Sequence, residues 1–274
     1  MYEFRTLEDI EFDDLASTWN LAFSDYIVDM EMTPGRLEAY FKISGVDYRK
    51  SFGAFCGDEL VGMLMNSIDS FKGKTVAYDA MTGIVPEHRG KGLFSELFEY
   101  TRNSLKGEGI THYYLEVIQT NERAYYIYSS KGCNVEREFS FFKGKSNRSL
   151  ICNSEIEVLP LADYPAEEIC LYEPSFSNRV SAMLRNADDY QVASLEIANS
   201  KSAAVFNTQG RVTQIQYRGA EDKTALIGIM AYISQKFKEL EISNIPVTET
   251  GLIKDLLNIG FKIIVDQYEM SFEL

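Results

Sequence analysis

The stretch Gly83–Leu97, GIVPEHRGKGLFSEL, joins an apolar segment to the start of a helical pattern and sets Arg89 and Lys91 beside glycines. The first N–H groups of a helix have no acceptor within the helix, and the helix dipole adds partial positive charge there. Glycines let the backbone approach a ligand closely, and the two bases add full charges. This order of strand, glycine turn and helix predicts a site for an anionic phosphate ligand. The alternative is a plain turn with solvent-facing bases.

Two common phosphate-binding loops do not fit this turn. A nucleoside-triphosphatase loop needs Ser or Thr after its lysine, whereas Lys91 is followed by Gly92. A dinucleotide-binding loop needs G-x-G-x-x-G, whereas Gly90 and Gly92 are followed by Ser95. The turn therefore indicates a different class of phosphate ligand.

Strand and helix patterns alternate on both sides of the stretch. Before it, strands are predicted at residues 2–7, 51–56, 60–68 and 74–85, and helices at residues 9–27 and 34–44. After it, the pattern predicts a helix from Arg89 to about Lys106, a strand at 111–118, a helix at 121–131 and a strand at 135–142. This order is typical of an α/β domain with a mixed sheet.

Part of this pattern recurs in the second half of the chain. KSFGAFCGDELVGML (50–64) resembles KSAAVFNTQGRVTQI (201–215), and SSKGCNVEREFSF (129–141) resembles LNIGFKIIVDQYEMSF (257–272). We interpret these likenesses as two copies of one strand-and-helix unit, the second shortened around its middle strands; the alternative is coincidence. Residues 188–199 fit either a helix or a strand.

The segment between the two copies is polar and rich in small residues. It reads GKSNRSLICNS (144–154) and is the predicted linker. The predicted domains are accordingly residues 1–145 and residues 155–274, each a central mixed β-sheet flanked by helices.

The turn and its helix resemble a motif of the GNAT superfamily of acetyl-CoA-dependent N-acetyltransferases. In that family an apolar strand, often ending V-x-P, is followed by R/Q-x-x-G-x-G/A at the start of a helix. Here Val85 and Pro86 precede Arg89 and Gly92, which match, and Phe94 stands where the family usually has Gly or Ala.

A second motif of the family follows in the expected order and at the expected distance. The later strand and helix often read L-E-V, three residues, then N-x-x-A-x-x-x-Y-x-x-x-G-F. The chain matches in register, with Cys133 in place of Phe, at Leu115, Glu116, Val117, Asn121, Ala124, Tyr128 and Gly132. The resemblance covers residues 1–143 well and the second copy in outline, and it implies two tandem GNAT-like domains.

The resemblance also implies a role for each matched residue. The backbone amides that would hold the coenzyme A pyrophosphate are those of Arg89, Gly90, Lys91, Gly92, Leu93 and Phe94. The backbone of Ile84 and Val85 would pair with the pantetheine arm, and Asn121 would contact the same arm. Glu116 would act as base toward the acceptor ammonium, and Tyr128 would protonate the departing thiolate.

These two chemical roles suit the residue types. An amine must lose a proton before it attacks a thioester, and a partly buried carboxylate can take that proton. The thiolate needs a donor, which a phenol supplies. Because no pair of nucleophile and histidine is evident, direct transfer without a covalent enzyme intermediate is expected. The structural alternatives are that Glu116 pairs with a base and that Tyr128 is one more core aromatic of its helix.

The second copy lacks the features that carry this chemistry. Where the first copy has its basic turn, Arg218–Lys223 contains Glu221 and Asp222, which would repel a pyrophosphate. The later helix, Thr250–Asn258, contains no tyrosine. Residues 155–274 are therefore predicted to be a degenerate GNAT-like domain that binds no coenzyme A.

The overall charge argues against a nucleic-acid partner. The chain has 27 Lys and Arg against 41 Asp and Glu, a formal net charge of −14, whereas nucleic acids are bound by surplus Lys and Arg. Residues 8–31 carry eight acids and no Lys or Arg. They form either a solvated helix face or a negative rim that attracts a cationic amine.

Histidines, cysteines and hydropathy exclude further classes. The only histidines, His88 and His112, lie far apart in the sequence, and the four cysteines include no C-x-x-C pair. We therefore expect no metal site, and we expect the cysteines to be free thiols. No run approaches the roughly 18 apolar residues of a membrane span, and no signal-peptide pattern precedes the first strand. A cytoplasmic protein without a membrane partner is expected.

The function predicted from the sequence is transfer of acetyl from acetyl-CoA to a primary amine of a small molecule or peptide. One alternative is a coenzyme A-binding or regulatory protein without turnover. The other is an aminoacyl-tRNA-dependent transferase, which would want a basic groove that the composition gives no sign of. The oligomeric state, including a homo-oligomer, stays open.

Overall fold

The computed structural model describes residues 1–26, 30–145, 155–164, 171–197, 200–218 and 223–274. Within these ranges the strands are β1 (Glu3–Thr6), β2 (Phe52–Cys56), β3 (Glu59–Phe71), β4 (Lys74–Ile84), β5 (His112–Ile118), β6 (Asn134–Lys145), β7 (Glu157–Pro160), β8 (Tyr190–Ile197), β9 (Ser200–Asn207), β10 (Arg211–Ile215), β11 (Glu239–Pro246) and β12 (Lys262–Glu273). The α-helices are α1 (Phe12–Ala22), α2 (Pro34–Ser44), α3 (Leu93–Gly107), α4 (Glu122–Ser130), α5 (Val180–Met183), α6 (Lys223–Lys236) and α7 (Thr250–Asn258).

The chain divides into two compact units. The first comprises Met1–Leu115, Gly132–Asn134 and Ser271–Leu274, and the second comprises Glu116–Lys131 and Val135–Met270. These units group several segments differently from the predicted domains 1–145 and 155–274, which stay a prediction. Most of the predicted linker, residues 146–154, lies outside the described residues.

The sheet of the first unit has the strand order β1-β2-β3-β4-β5. Its neighbours are antiparallel except for β4 and β5, which run parallel, so the sheet is mixed as predicted. Apolar residues of α1 and α2 pack against β3. The largest of them, all inaccessible to solvent, are Leu15, Trp19, Leu37 and Phe41, which share a cluster with Met63 and Met65.

The first helix is shorter than its apolar pattern indicates. The prediction spans residues 9–27, whereas α1 ends at Ala22 and is followed by a turn. Phe23 and Tyr26 continue the helical spacing in the sequence, but they lie in that turn and pack ring against ring at 5.6 Å. The apolar spacing of residues 9–27 therefore continues from the helix into the turn that follows it, and it does not mark the end of α1.

The last residues of β12 complete the first unit. The ring of Phe272 packs against the rings of Phe98 and Tyr113, with centroid separations of 5.5 Å and 5.3 Å. The backbone N–H of Leu274 donates to the carbonyl of Thr111 at 2.9 Å. A segment from the far end of the sequence is thus part of the core that α3 and β5 form.

The sheet of the second unit has the strand order β12-β6-β11-β10-β9-β8-β7. β10 and β11 run parallel. Four other pairs are antiparallel: β6 with β11, β10 with β9, β9 with β8, and β8 with β7. Residues 188–199, which fit a helix or a strand, contain the strand β8. Buried apolar residues of α6 and α7 form the core with this sheet, among them Leu226, Ile229, Met230, Leu252 and Leu256.

An internal repeat is visible in the element boundaries. α7 and β12 begin and end 128 residues after α4 and β6 respectively. Counterpart hydrogen bonds follow the same offset: Gln119 N–H donates to Asp266 O at 2.9 Å, and Val247 N–H donates to Glu138 O at 3.1 Å. The repeat that the sequence predicts is therefore present in the structure.

Both units consist of a mixed sheet with helices, which confirms the predicted α/β fold class. Among the described ranges, no helix combines the length and apolar character that crossing a membrane requires.

Replacing Phe272 by Ala is expected to destabilise the first unit by about 3 kcal/mol, because the side chain is 7% exposed and its removal leaves a cavity beside Phe98 and Tyr113. Urea unfolding followed by the fluorescence of Trp19, the single tryptophan, reports on this unit. Ile264→Ala, a truncation of a 49% exposed residue on the same strand, is the control and should change the unfolding free energy by less than about 0.5 kcal/mol. Equal effects of the two substitutions would contradict the packing role of Phe272.

Candidate functional site

The turn between β4 and α3 depends on two left-handed glycines. Gly90 has φ 73° and Gly92 has φ 81°, a region that residues with a Cβ rarely adopt. Because Gly92 lies in the left-handed region, it is not part of the right-handed helix, and α3 begins at Leu93 rather than at the predicted Arg89. Gly92 is the N-cap, and no side chain caps the first turn of α3.

Open space lies in front of this turn. A Cβ on Gly90 would meet nothing within 4 Å, and one on Gly92 would meet only the Glu96 carboxylate at 3.9 Å. The first backbone bond of α3 runs from Glu96 N–H to Gly92 O, so the N–H groups of Leu93, Phe94 and Ser95 precede it. These three donors and the dipole of a 15-residue helix suit an anionic group, and the turn fits a pyrophosphate.

The side chain of Arg89 is directed into the first unit. Its guanidinium donates to both carboxylate oxygens of Asp25, at 2.6 Å and 2.9 Å, and to the carbonyls of Ala22 and Ile84, at 2.7 Å and 2.9 Å. The arginine therefore joins the end of α1 to the end of β4. Its charge is balanced by Asp25, and its backbone N–H donates to the carbonyl of Pro86 at 3.1 Å, so the predicted contact of this amide with a phosphate does not fit the turn.

The other turn residues have distinct local roles. Lys91 Nζ donates to the carbonyl of Glu87 at 2.8 Å, across the turn. Leu93 is buried and anchors the start of α3. The ring of Phe94 stacks on that of Phe98 one helical turn later, at 5.5 Å, so its bulk lies along the helix.

The open edge of β4 offers backbone groups for an extended ligand. Parallel pairing joins Val76–Tyr78 to His112–Tyr114, and beyond it β4 pairs only with β3 among the described residues. Val85 N–H donates to Val61 O, and Val85 O accepts from His88 N–H, so Val85 has no N–H for the predicted pairing. Since alternate residues of a strand face opposite edges, the backbone groups of Ile84 and Thr82 face away from β3.

Asn121 and Tyr128 lie on α4, in the second compact unit. Asn121 is the N-cap of α4, and its side-chain oxygen accepts from Ala124 N–H at 3.1 Å. That bond gives Asn121 a structural role beside the predicted one. Tyr128 is 8% exposed and is the buried residue of the helix.

Glu116 accepts a hydrogen bond from a neutral amide. The side-chain NH2 of Asn244, on β11, donates to the Glu116 carboxylate at 2.8 Å and to the Ser175 hydroxyl at 2.9 Å. Asn244 is not among the residues predicted from the sequence. It is one of four polar residues in Glu239–Pro246, ELEISNIP, and such a residue by itself does not mark a site.

In the second copy, the gap between the parallel strands is bridged by the chain itself. β10 and β11 pair at Arg211–Val212 and Glu241–Ile242. Beyond that point the Asn178 side-chain NH2 donates to the carbonyls of Thr213 and Ser243, at 3.1 Å and 3.0 Å. β10 and β11 are the parallel pair of the second copy, as β4 and β5 are of the first. The acidic turn of the second copy, residues 219–222, lies outside the described residues.

Several acids of residues 8–31 have structural roles. Asp13 and Asp14 are exposed in the first turn of α1, where carboxylates complement the helix dipole. Asp25 pairs with Arg89. Asp29 lies outside the described residues.

Comparison with known proteins finds a family match and a relative for the first half of the chain. Residues 9–133 match the Acetyltransferase (GNAT) family. A relative, N-alpha-acetyltransferase 30 of Schizosaccharomyces pombe (strain 972 / ATCC 24843), is 31% identical over 94 residues, which are 34% of this chain and 63% of the relative. The match thus spans less than two thirds of the relative's length.

Solved structures resemble the whole chain. A tandem GNAT protein from the clavulanic acid biosynthesis pathway has a TM-score of 0.68 at 11% identity, over 100% of this chain and 98% of its own. A putative acetyltransferase from Pyrococcus horikoshii has a TM-score of 0.70 at 14% identity, over 100% and 89%. At these identities the likeness shows the fold, which is that of tandem GNAT proteins, and the resemblance found in the sequence is confirmed.

Replacing Gly92 by Ala is expected to lower the unfolding free energy by about 1–2 kcal/mol, because an alanine at φ 81° is strained. Urea unfolding measures the change. Gly107→Ala in the same helix is the control: its backbone is not left-handed and a Cβ there meets nothing within 4 Å, so a gain of about 0.5 kcal/mol is expected. A neutral Gly92→Ala would show that the turn does not require its left-handed geometry.

Proposed function

We propose that the protein belongs to the Acetyltransferase (GNAT) family, which residues 9–133 match, and that it transfers the acetyl group of acetyl-CoA to a primary amine of a small molecule or a peptide. The observation that carries the proposal is the start of α3, where Gly90 and Gly92 leave the first helix amides facing open space. Such amides bind the phosphates of a ligand without any need for a basic protein surface.

We expect residues of the first unit to bind acetyl-CoA. Acetyl-CoA supplies an acetyl group activated as a thioester. The amides of Gly90, Lys91 and Gly92 and those of Leu93, Phe94 and Ser95 would hold the pyrophosphate, while Arg89 fixes the turn through Asp25. The backbone of Ile84, with Thr82 in place of Val85, would pair with the pantetheine arm.

The chemical step requires proton transfers by the two residues that the family motif predicts. Glu116 would take a proton from the acceptor ammonium, so that the free amine attacks the thioester carbonyl and forms the C–N bond. As the C–S bond breaks, Tyr128 would give its proton to the thiolate and recover one from the acylated nitrogen. No covalent bond to the enzyme forms in this scheme.

The acceptor class can be narrowed for testing. The name of the Schizosaccharomyces pombe relative states that it acetylates an α-amine. The first acceptors to test are therefore peptides with a free N-terminus, followed by small primary amines. Acetyl-CoA binding without transfer to any of them would favour the coenzyme A-binding or regulatory alternative.

Ser95→Glu is expected to weaken acetyl-CoA binding at least about tenfold, because it adds a negative charge beside the amides that would hold the pyrophosphate. An acidic residue in the first turn suits the helix dipole, so the fold should tolerate it. Calorimetric titration measures the dissociation constant. Ser95→Gln, with nearly the same shape and no charge, should stay within about threefold of the wild type. Equal weakening by both substitutions would count against electrostatic repulsion, and no binding by the wild type would overturn the proposed function.

Tyr128→Phe is expected to lower kcat about 100-fold while leaving the dissociation constant of acetyl-CoA within about twofold, because it removes only the hydroxyl that would protonate the thiolate. Release of free coenzyme A thiol measures kcat. Tyr126→Phe on the same helix, where the side chain is 67% exposed, is the control and should match the wild type. A Tyr128→Phe enzyme with wild-type kcat would remove Tyr128 from the proposed chemistry.

A further inference from the structure

Counterpart positions of the internal repeat meet at the proposed base. Glu116 and Asn244 are 128 residues apart, the offset that relates α4 to α7 and β6 to β12. Both belong to the second compact unit, and the Asn244 amide donates to the Glu116 carboxylate at 2.8 Å. One copy of the repeat thus carries a carboxylate at this position and the other copy carries an amide.

The backbone of β11 aims the Asn244 side chain. Pairing with β6 shifts register between Ile242 and Ile245, and Asn244 within that irregularity has φ 55°. Asparagine is among the few residues other than glycine that adopt this left-handed region readily. The conformation turns Asn244, which is 5% exposed, toward Glu116 instead of continuing the regular alternation of the strand.

Hydrogen bonds fix the orientation of the amide. Its nitrogen donates to Glu116 and, at 2.9 Å, to Ser175, whose side chain is fully buried. Both hydrogens of the NH2 group are therefore used, and the group can offer Glu116 only a donor. A donor of this kind orients the carboxylate and favours the state in which it accepts, which is the ionised state that a base needs.

A carboxylate in place of Asn244 would work against that state. Two carboxyl groups at hydrogen-bond distance cannot both ionise at neutral pH, because like charges disfavour each other. The neutral amide keeps the shape of an aspartate at this position and removes the second charge. The amide at position 244, where the first copy has the Glu116 carboxylate, therefore keeps a second negative charge away from Glu116.

We propose that Asn244 is a positioning residue for Glu116, supplied to the site of the first copy by the copy that has lost its own. The inference rests on the proposed function, in which Glu116 is the base. It also gives a task to the segment around Ser175–Asn178, which holds the Asn244 amide through Ser175 and bridges β10 and β11 through Asn178.

The test is a double-mutant cycle in the full-length chain, with acetyl-CoA and the best acceptor from the amine panel. Asn244→Gly keeps the left-handed backbone and removes the amide, and it is expected to lower kcat about tenfold with the KM for acetyl-CoA within about twofold. In a Glu116→Gln background the same substitution should change kcat less than about twofold, because the group that it orients is already gone.

Two further variants guard against a purely structural effect. Asn244→Asp keeps the shape and the backbone preference, and should lower kcat at neutral pH at least about tenfold even if the glycine variant folds poorly. Ser243→Ala alters the neighbouring buried residue, whose hydroxyl bonds to Asn178, and should leave kcat within about twofold.

The outcomes separate the inference from the proposed function. An Asn244→Gly enzyme with wild-type kcat, or with the same loss in both backgrounds, overturns the positioning role while acetyl transfer stands. A Glu116→Gln enzyme with wild-type kcat removes Glu116 as base, and the positioning role with it. A wild type that transfers acetyl to no amine overturns the proposed function and this inference together.

Discussion

The left-handed backbone at Gly90 and Gly92 is the constraint on which the candidate site depends. It delays the start of α3 until Leu93 and so places the N–H groups at the N-terminus of this helix at the end of β4. Arg89, between strand and helix, holds this geometry by bonding to Asp25 and to two backbone carbonyls. The charge of the arginine is used to build the turn, and the attraction for an anion comes from the backbone.

The two copies of the repeat show opposite uses of the same architecture. In the first copy, β4 extends beyond its pairing with β5, and there it pairs with β3 alone among the described residues. In the second copy, the equivalent place is bridged by Asn178, a side chain from the copy's own irregular segment. Filling a gap with a buried, fully bonded amide stabilises the strands but removes the room that a ligand would need. The second copy is a supporting structure in this respect, and its β11 also carries Asn244.

Much of the fold could be predicted from the sequence, because apolar periodicity and glycine positions are local signals. The strands of the first copy, the α/β class and the repeat follow from such patterns, while the roles of Glu116, Asn121 and Tyr128 stay predictions from the family motif. The contacts of Arg89 and Asn244 could not be predicted, because each partner lies far away in the sequence. The hydrogen bond from Val85 N–H to Val61 O depends on the register between β3 and β4, which no local pattern predicts.

The position of Phe272 has a consequence for synthesis of the chain on the ribosome. The ring lies in the core of the first unit, yet it is translated more than 150 residues after β5, the strand against which it packs. Residues 1–115 therefore leave the exit tunnel without one side of their core and must wait for the final segment to arrive. During that interval the ring of Phe272 does not yet cover Phe98 and Tyr113, and these side chains are an apolar surface that chaperones can protect.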